Sequence, residues 1–271
     1  MLWVFYSVVP VALVAVLGWW WWRRCRRAAA RAVYREAPVP AKWRNVLRRR
    51  LPAYARLPDA VRRCLHRQMK IFLAEKTFTA CGGLRTVDDA MAVTIAGHAC
   101  LLLAGRGDAA CFPGVESVLV YPDSFYSRVR NWDAAAGVEF VHTEARVGEA
   151  SPMGSVVLSW REVLQASALA GNGRNVVVHE FAHHLRPVGA VLLAELDSGF
   201  RRLCAAPDAD PVLDSYGAEN KDEFWAVSVE AFFDDAVRLR EAHPAWYRAL
   251  AVFFEQDTAA QEIFFRDSVR S

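Results

Sequence analysis

The chain has 271 residues, ample for one large or two small domains with a sizeable core, and 54% of them are hydrophobic, somewhat above a typical soluble domain. Its formal charge of +3 hides an asymmetry: residues 1–50 carry eleven Lys/Arg and one acidic residue, which leaves 22 basic against 29 acidic residues, net −7, in 51–271. An acidic body argues against nucleic-acid binding, and six scattered cysteines with no C-x-x-C pair argue against a disulfide framework and for reduced thiols in a cytosolic setting.

Trp3 to Trp22 is a run of twenty residues without a charge, enough at about 1.5 Å per residue to cross a hydrocarbon core of about 30 Å. Trp19 to Trp22 form an aromatic anchor, and Arg23, Arg24, Arg26, Arg27 and Arg31 follow at once. The expectation is a transmembrane anchor over 1–22 with the body on the cytoplasmic side. A cleaved signal peptide fits less well, because here the charge follows the apolar run and no small-residue cleavage site closes it. Residues 23–50, rich in Ala and Arg, are expected as a basic juxtamembrane linker lying along an anionic leaflet, and 51–271 as the folded domain.

The spacing of Val61, Leu65, Met69, Phe72 and Leu73 predicts a helix from about Asp59 towards Ala80, and a second helical stripe runs from Val87 to about Ala104. His98 lies in that second stripe, where a hydrogen-bonded structural histidine is the expected reading. Three strand candidates follow at 115–121, 138–142 and 155–160, separated by Gly-containing loops without a crossover helix, so a small antiparallel sheet is expected. Beside a helix, its free edge would suit an extended peptide.

Val176-Val177-Val178-His179-Glu180-Phe181-Ala182-His183 contains the pattern H-E-x-x-H. On a helix, residues four apart lie one above the other, so His179 and His183 present two imidazoles to one point, a Zn²⁺ site. Glu180 is badly placed as a ligand and well placed to act as a general base on a water. The bland alternative is a buried helix whose histidines find ordinary hydrogen-bond partners. Asn172 is the expected N-cap, and Pro187 with Gly189 the expected stop after about four turns.

Catalytic zinc takes a third protein ligand, and residues 215–233 offer Glu219, Asp222, Glu223 and Glu230. A helix starting near Asn220 puts Glu223, Val227, Glu230 and Asp234 on one face. Glu223 is expected as the ligand and Glu230 as a carboxylate that orients a histidine. Against this stands a capping-box reading, with Glu223 as the N3 partner of Asn220.

The segments TIAGHACLLLAG, VVVHEFAHHL and SYGAENKDEFWAVSVEAFF, in this order and spacing, resemble the Mlc titration factor A family of bacterial zinc peptidases over most of 45–260. The metal half is also similar to the catalytic domain of anthrax lethal factor, where a tyrosine stands seven residues before the glutamate ligand, as Tyr216 stands before Glu223. The resemblance implies His179, His183 and Glu223 as zinc ligands, Glu180 as the base and Tyr216 as a donor to the transition state. It also implies aminopeptidase-like activity on peptides and, in some members, binding to a transcriptional repressor. Two features depart from the family. Arg186-Pro187-Val188-Gly189 replaces its usual Leu-Asp and Gly/Asp-rich loop, and the N-terminal anchor is not a general family property.

The combined expectation is an α+β, mainly helical zincin-like metallopeptidase domain with a small antiparallel sheet, anchored in the inner membrane by one N-terminal helix. It would hydrolyse a peptide or protein substrate with a zinc-activated water; no nucleic-acid partner is expected. The alternative is a regulatory protein that binds a repressor, hydrolysis being incidental.

Overall fold

A computed structural model describes residues 38–107, 110–133, 138–146, 148–150, 154–168 and 174–270, the backbone alone being described across 125–150. The folded unit begins at Pro40. Its first helix, α1 (Ala41–Arg50), falls within the stretch expected as a linker, and Leu47 on it is fully buried. Next comes α2 (Asp59–Glu75). It ends at Glu75, and Thr77–Ala80 is strand β1, five residues earlier than the expected helix end.

The helix α3 (Asp89–Leu101) is the centre of the packing. Its sequence is apolar on all sides, and residues 91 and 93–101 are buried, as a helix surrounded by neighbours must be. The Asp88 carboxylate caps it by accepting from Met91 N at 2.8 Å. Gly97 lets α1 approach: a Cβ there would stand 2.6 Å from Leu47 Cδ2.

The sheet is mixed, in the order β1, β2 (Ser117–Tyr121), β6 (Ser155–Ser159), β5 (Gly148–Ala150). β1 pairs with β2 and β2 with β6 in parallel; the short edge strand β5 alone runs antiparallel, on β6. The expected antiparallel sheet is therefore corrected to three parallel strands. The reason is topological. Parallel neighbours need crossover connections, and α3 supplies one between β1 and β2, which reading 77–80 as helix concealed. The candidate at 138–142 belongs to neither pairing: it lies in β4 (Val138–Arg146), which forms a separate antiparallel hairpin with β3 (Phe125–Asp133). In β2 and β6, Val118, Val120, Val156 and Leu158 are all fully buried and paired in register.

After β6 the chain is helical: α4 (Trp160–Ala168), α5 (Val176–Ala182), α6 (Ala190–Ala205), α7 (Lys221–Asp234), α8 (Ala236–Ala242), α9 (Pro244–Phe254) and α10 (Thr258–Arg270). α5 is packed by α3, α4, α7, β5 and β6, which makes this short helix the meeting point of sheet and helical layer. Phe181 on it contacts Phe72 and Phe112, with ring centroids 5.5 and 4.8 Å away.

The expectation of a single-pass inner-membrane protein is corrected as well. Among the described residues no helix is long and apolar enough to cross a membrane. At about 1.5 Å per residue the 17-residue α2 spans about 25 Å and carries six charged side chains, while the apolar α3, with 13 residues, spans about 20 Å. The apolar run at 3–22 and the contact with a membrane inferred from it lie outside the described residues.

Candidate metal centre

α5 has seven residues, two turns rather than the expected four, and its cap is Asn175. The expected cap, Asn172, lies outside the described residues. Asn175 Oδ1 accepts from Val178 N at 3.2 Å, and Val177 and Val178 are fully buried. Such a short helix has little stability of its own, so the cap and the burial of its valines must hold it. At its other end the Ala182 carbonyl accepts from Leu185 N at 2.8 Å and from the Trp225 indole N–H at 3.0 Å, which ties the end of α5 to α7. His183 keeps helical dihedrals as the C-cap residue, so the i, i+4 geometry survives the early end: the His179 and His183 rings lie 5.0 Å apart.

The partner carboxylates come from α7. Asn220 caps that helix, its Oδ1 accepting from Asp222 N and Glu223 N at 2.9 Å each. Glu223 thus stands where a capping box would put it, yet its carboxylate turns to the histidines: Oε2 lies 3.0 Å from His179 Nε2 and 3.6 Å from His183 Nε2. Among the described residues, His179, His183 and Glu223 are the one group of three such side chains whose donor atoms lie within 4.8 Å of one another. Glu219, just before the cap, and Asp222, in the first turn, are exposed and outside it. Two turns on, Glu230 meets the opposite nitrogen of the same imidazole, with Oε1 2.7 Å from His179 Nδ1.

These placements set the protonation. Burial works against a charged His179, but hydrogen bonds to Glu223 and Glu230, with the charges of Glu230 and Glu180, overcome it and raise its pKa to about 10. Burial also opposes the Glu223 carboxylate, but hydrogen bonds from His179 and His183 outweigh it and bring the pKa down to about 2. Glu180, 6% exposed, is raised to about 7 by burial, with His179 and His183 pulling the other way.

Tyr216 sits on a 3-10 turn (Ser215–Ala218) whose cap is Asp214, accepting from Tyr216 N at 3.0 Å. Its ring centroid is 6.0 Å from that of His179, and the side chain is 45% exposed, open to solvent at the rim of the site. Arg174, immediately before Asn175, pairs with Asp214 at 2.5 Å and so clasps the segment entering α5 to the segment carrying Tyr216. His98 is a structural histidine, 1% exposed, held between Arg50 O at 2.8 Å and Asn175 Nδ2 at 2.9 Å.

The donor set suits a metal ion. Ligands about 2.0–2.1 Å from a tetrahedral zinc stand about 3.3 Å from one another, and the 3.0 and 3.6 Å separations found here bracket that value.

The profile of a family described as glucose-regulated metallo-peptidase M90 matches residues 19–187 and 193–255, most of the chain. The chain belongs to this family. Its activity class is therefore that of a metallopeptidase. The protein slr2042 of Synechocystis sp., itself uncharacterised, is 30% identical over 237 residues, covering 81% of this chain and 85% of its own length. The Mlc titration factor A of Edwardsiella ictaluri is 29% identical over 163 residues and that of Yersinia enterocolitica 28% over 167, covering 53% and 55% of this chain. The chain spans 61% of the length of each of these two, and the kinship to Mlc titration factor A read from the motifs stands. Residues 188–192 fall between the two matched segments; Val188 and Gly189 end the loop where this sequence departs from the family's pattern, and 190–192 open α6.

Sequence reasoning overlooked Asn175 as the cap of α5 and the Arg174–Asp214 clasp. The signal for the first was present: an Asn directly before an apolar run is an N-cap pattern as strong as the one chosen at Asn172.

Proposed function

We propose that this chain is a zinc-dependent peptidase in which His179, His183 and Glu223 hold the ion, Glu180 is the general base and Tyr216 donates to the developing oxyanion. The observation that carries the reading is the convergence of the three donor atoms, with Glu223 turned away from the capping role open to it and onto both histidines. Two imidazoles and a carboxylate are a donor set that zinc accepts while keeping a position open. When bound, the metal would polarise the scissile carbonyl and acidify a water.

The protein's own residues do the rest. Glu230 accepts a hydrogen bond from His179 Nδ1–H, which would leave the Nε2 lone pair to the ion. Glu180 accepts a proton from the attacking water and passes it to the leaving amine. The Tyr216 hydroxyl, at the open rim, donates a hydrogen bond to the charge that builds up on the carbonyl oxygen. The backbone of β5, the sheet edge packed on α5, offers an extended peptide a strand to pair with. We assign this chemistry to the unit from Pro40 to Ser271. Aminopeptidase-like preference is the form of activity that the family resemblance favours.

A second reading is favoured by the name of two relatives, Mlc titration factor A. In that reading the chain binds a transcriptional repressor and hydrolysis is incidental. The test that separates them is cleavage of a peptide library by the full chain. The peptidase reading predicts products that disappear with chelator and with Glu180→Gln; products from neither the untreated protein nor its zinc-supplemented form would leave the binding reading in its place.

A further inference from the structure

Behind the His179 ring lies a polar group that the proposed chemistry does not use, and Asn175 is its hub. The residue is 1% exposed and every polar part of it is engaged. Its Oδ1 accepts from Val178 N, its Nδ2 faces His98 Nδ1 at 2.9 Å, and its backbone N–H donates to Glu230 Oε2.

The hydrogens in this group have one consistent arrangement. Arg50 O accepts only, so the His98 nitrogen 2.8 Å from it, Nε2, carries the ring hydrogen. His98 is neutral in this setting, its pKa lowered to about 4 by burial. Nδ1 is then a bare acceptor and must face a donor, which fixes the Asn175 amide with Nδ2 towards His98 and Oδ1 towards the start of α5. Glu230 is in turn held by two donors, Asn175 N on Oε2 and His179 Nδ1 on Oε1. Its carboxylate can pivot only if Asn175 moves.

We propose that Asn175 is the positioning residue of the metal centre: held by His98 and by the first turn of α5, it fixes the Glu230 carboxylate and thereby the pose and tautomer of His179. The inference rests on the reading of His179 as a metal ligand. It differs from a cap's ordinary duty, because it assigns the amide nitrogen a role that a cap oxygen alone does not fill. Arg50, on α1, and His98, on α3, thereby link those two helices to the ion through one side chain.

Asn175→Ser keeps a good capping oxygen but removes the Nδ2 donor. Asn175→Asp also keeps the oxygen, and confronts the bare His98 Nδ1 with an acceptor. Each variant is measured in the full chain for Zn²⁺ affinity by chelator competition, for the visible spectrum with Co²⁺, and for helix content without metal. Asp257→Ala, which deletes a cap oxygen bonded to Ala260 N in the remote α10, controls for a general loss of stability. Both Asn175 variants are expected to hold Zn²⁺ roughly 10- to 100-fold more weakly with displaced Co²⁺ bands, while the control changes neither. Wild-type affinity and an unchanged Co²⁺ spectrum in either folded Asn175 variant overturn the proposal, as does an equal loss of affinity in Asp257→Ala. If the wild-type chain takes up no stoichiometric Zn²⁺, the metal-site reading itself fails, and this inference with it.

Discussion

At the scale of single residues, the site is organised around one imidazole. His179 has Glu223 on Nε2 and Glu230 on Nδ1, so the two carboxylates have different duties although both lie on one face of α7. Removing Glu230 leaves the donor set intact but frees the ring, and Glu230→Ala is expected to weaken zinc binding roughly 10- to 100-fold, measured by chelator competition. Tyr216 has no part in holding the metal in this account. Tyr216→Phe should therefore lower kcat by roughly 10²–10³-fold with KM little changed. A matching rise in KM with kcat intact would make it a substrate-binding residue instead. Spacing and residue type singled out His179, His183 and Glu223, whose donor atoms the fold does bring together. Which carboxylate meets which nitrogen was open until the fold put α7 across α5.

At the scale of elements, the apolar composition of α3 and the stripe of α2 were readable because burial on all sides, or on one, leaves a pattern in the sequence. The four residues of β1 left no such pattern. They follow α2 after one residue and continue its apolar run, so a strand was absorbed into a helix and the sheet lost the crossover that makes it parallel. Two packing features give tests at this scale. A Cβ on Gly199 of α6 would meet the Phe224 ring at 2.6 Å, so Gly199→Ala should destabilise the fold by roughly 1–3 kcal/mol, seen as a lower Tm. The buried His98 of α3 gives a pH dependence. Its folded pKa of about 4 lies below the unfolded 6.5, so between these values the unfolded chain binds the extra proton, and stability falls as pH falls. The full effect is about 3 kcal/mol. His98→Gln removes this contribution, and stability curves of wild type and variant should diverge below pH 6.5; parallel curves would mean that His98 titrates normally.

At the scale of the whole molecule, a mixed sheet and its surrounding helices converge on a two-turn helix, and the family match extends over both halves of the site, on either side of residues 188–192. Five of the six cysteines lie among the described residues and are free thiols, three of them buried. The membrane anchor, like the antiparallel sheet, is an expectation that did not carry through: it rested on hydropathy at 3–22, and no described helix meets the length and apolarity that a span requires. The fold therefore localises the argument in the metal centre, and metal stoichiometry tests it most directly. After dialysis against a mild chelator, the wild-type chain and Glu180→Gln should each retain about one zinc per chain, because a general base is not a ligand, and Glu223→Ala should retain almost none. Full retention by Glu223→Ala, or loss of zinc from Glu180→Gln in step with loss of activity, would contradict the roles assigned here.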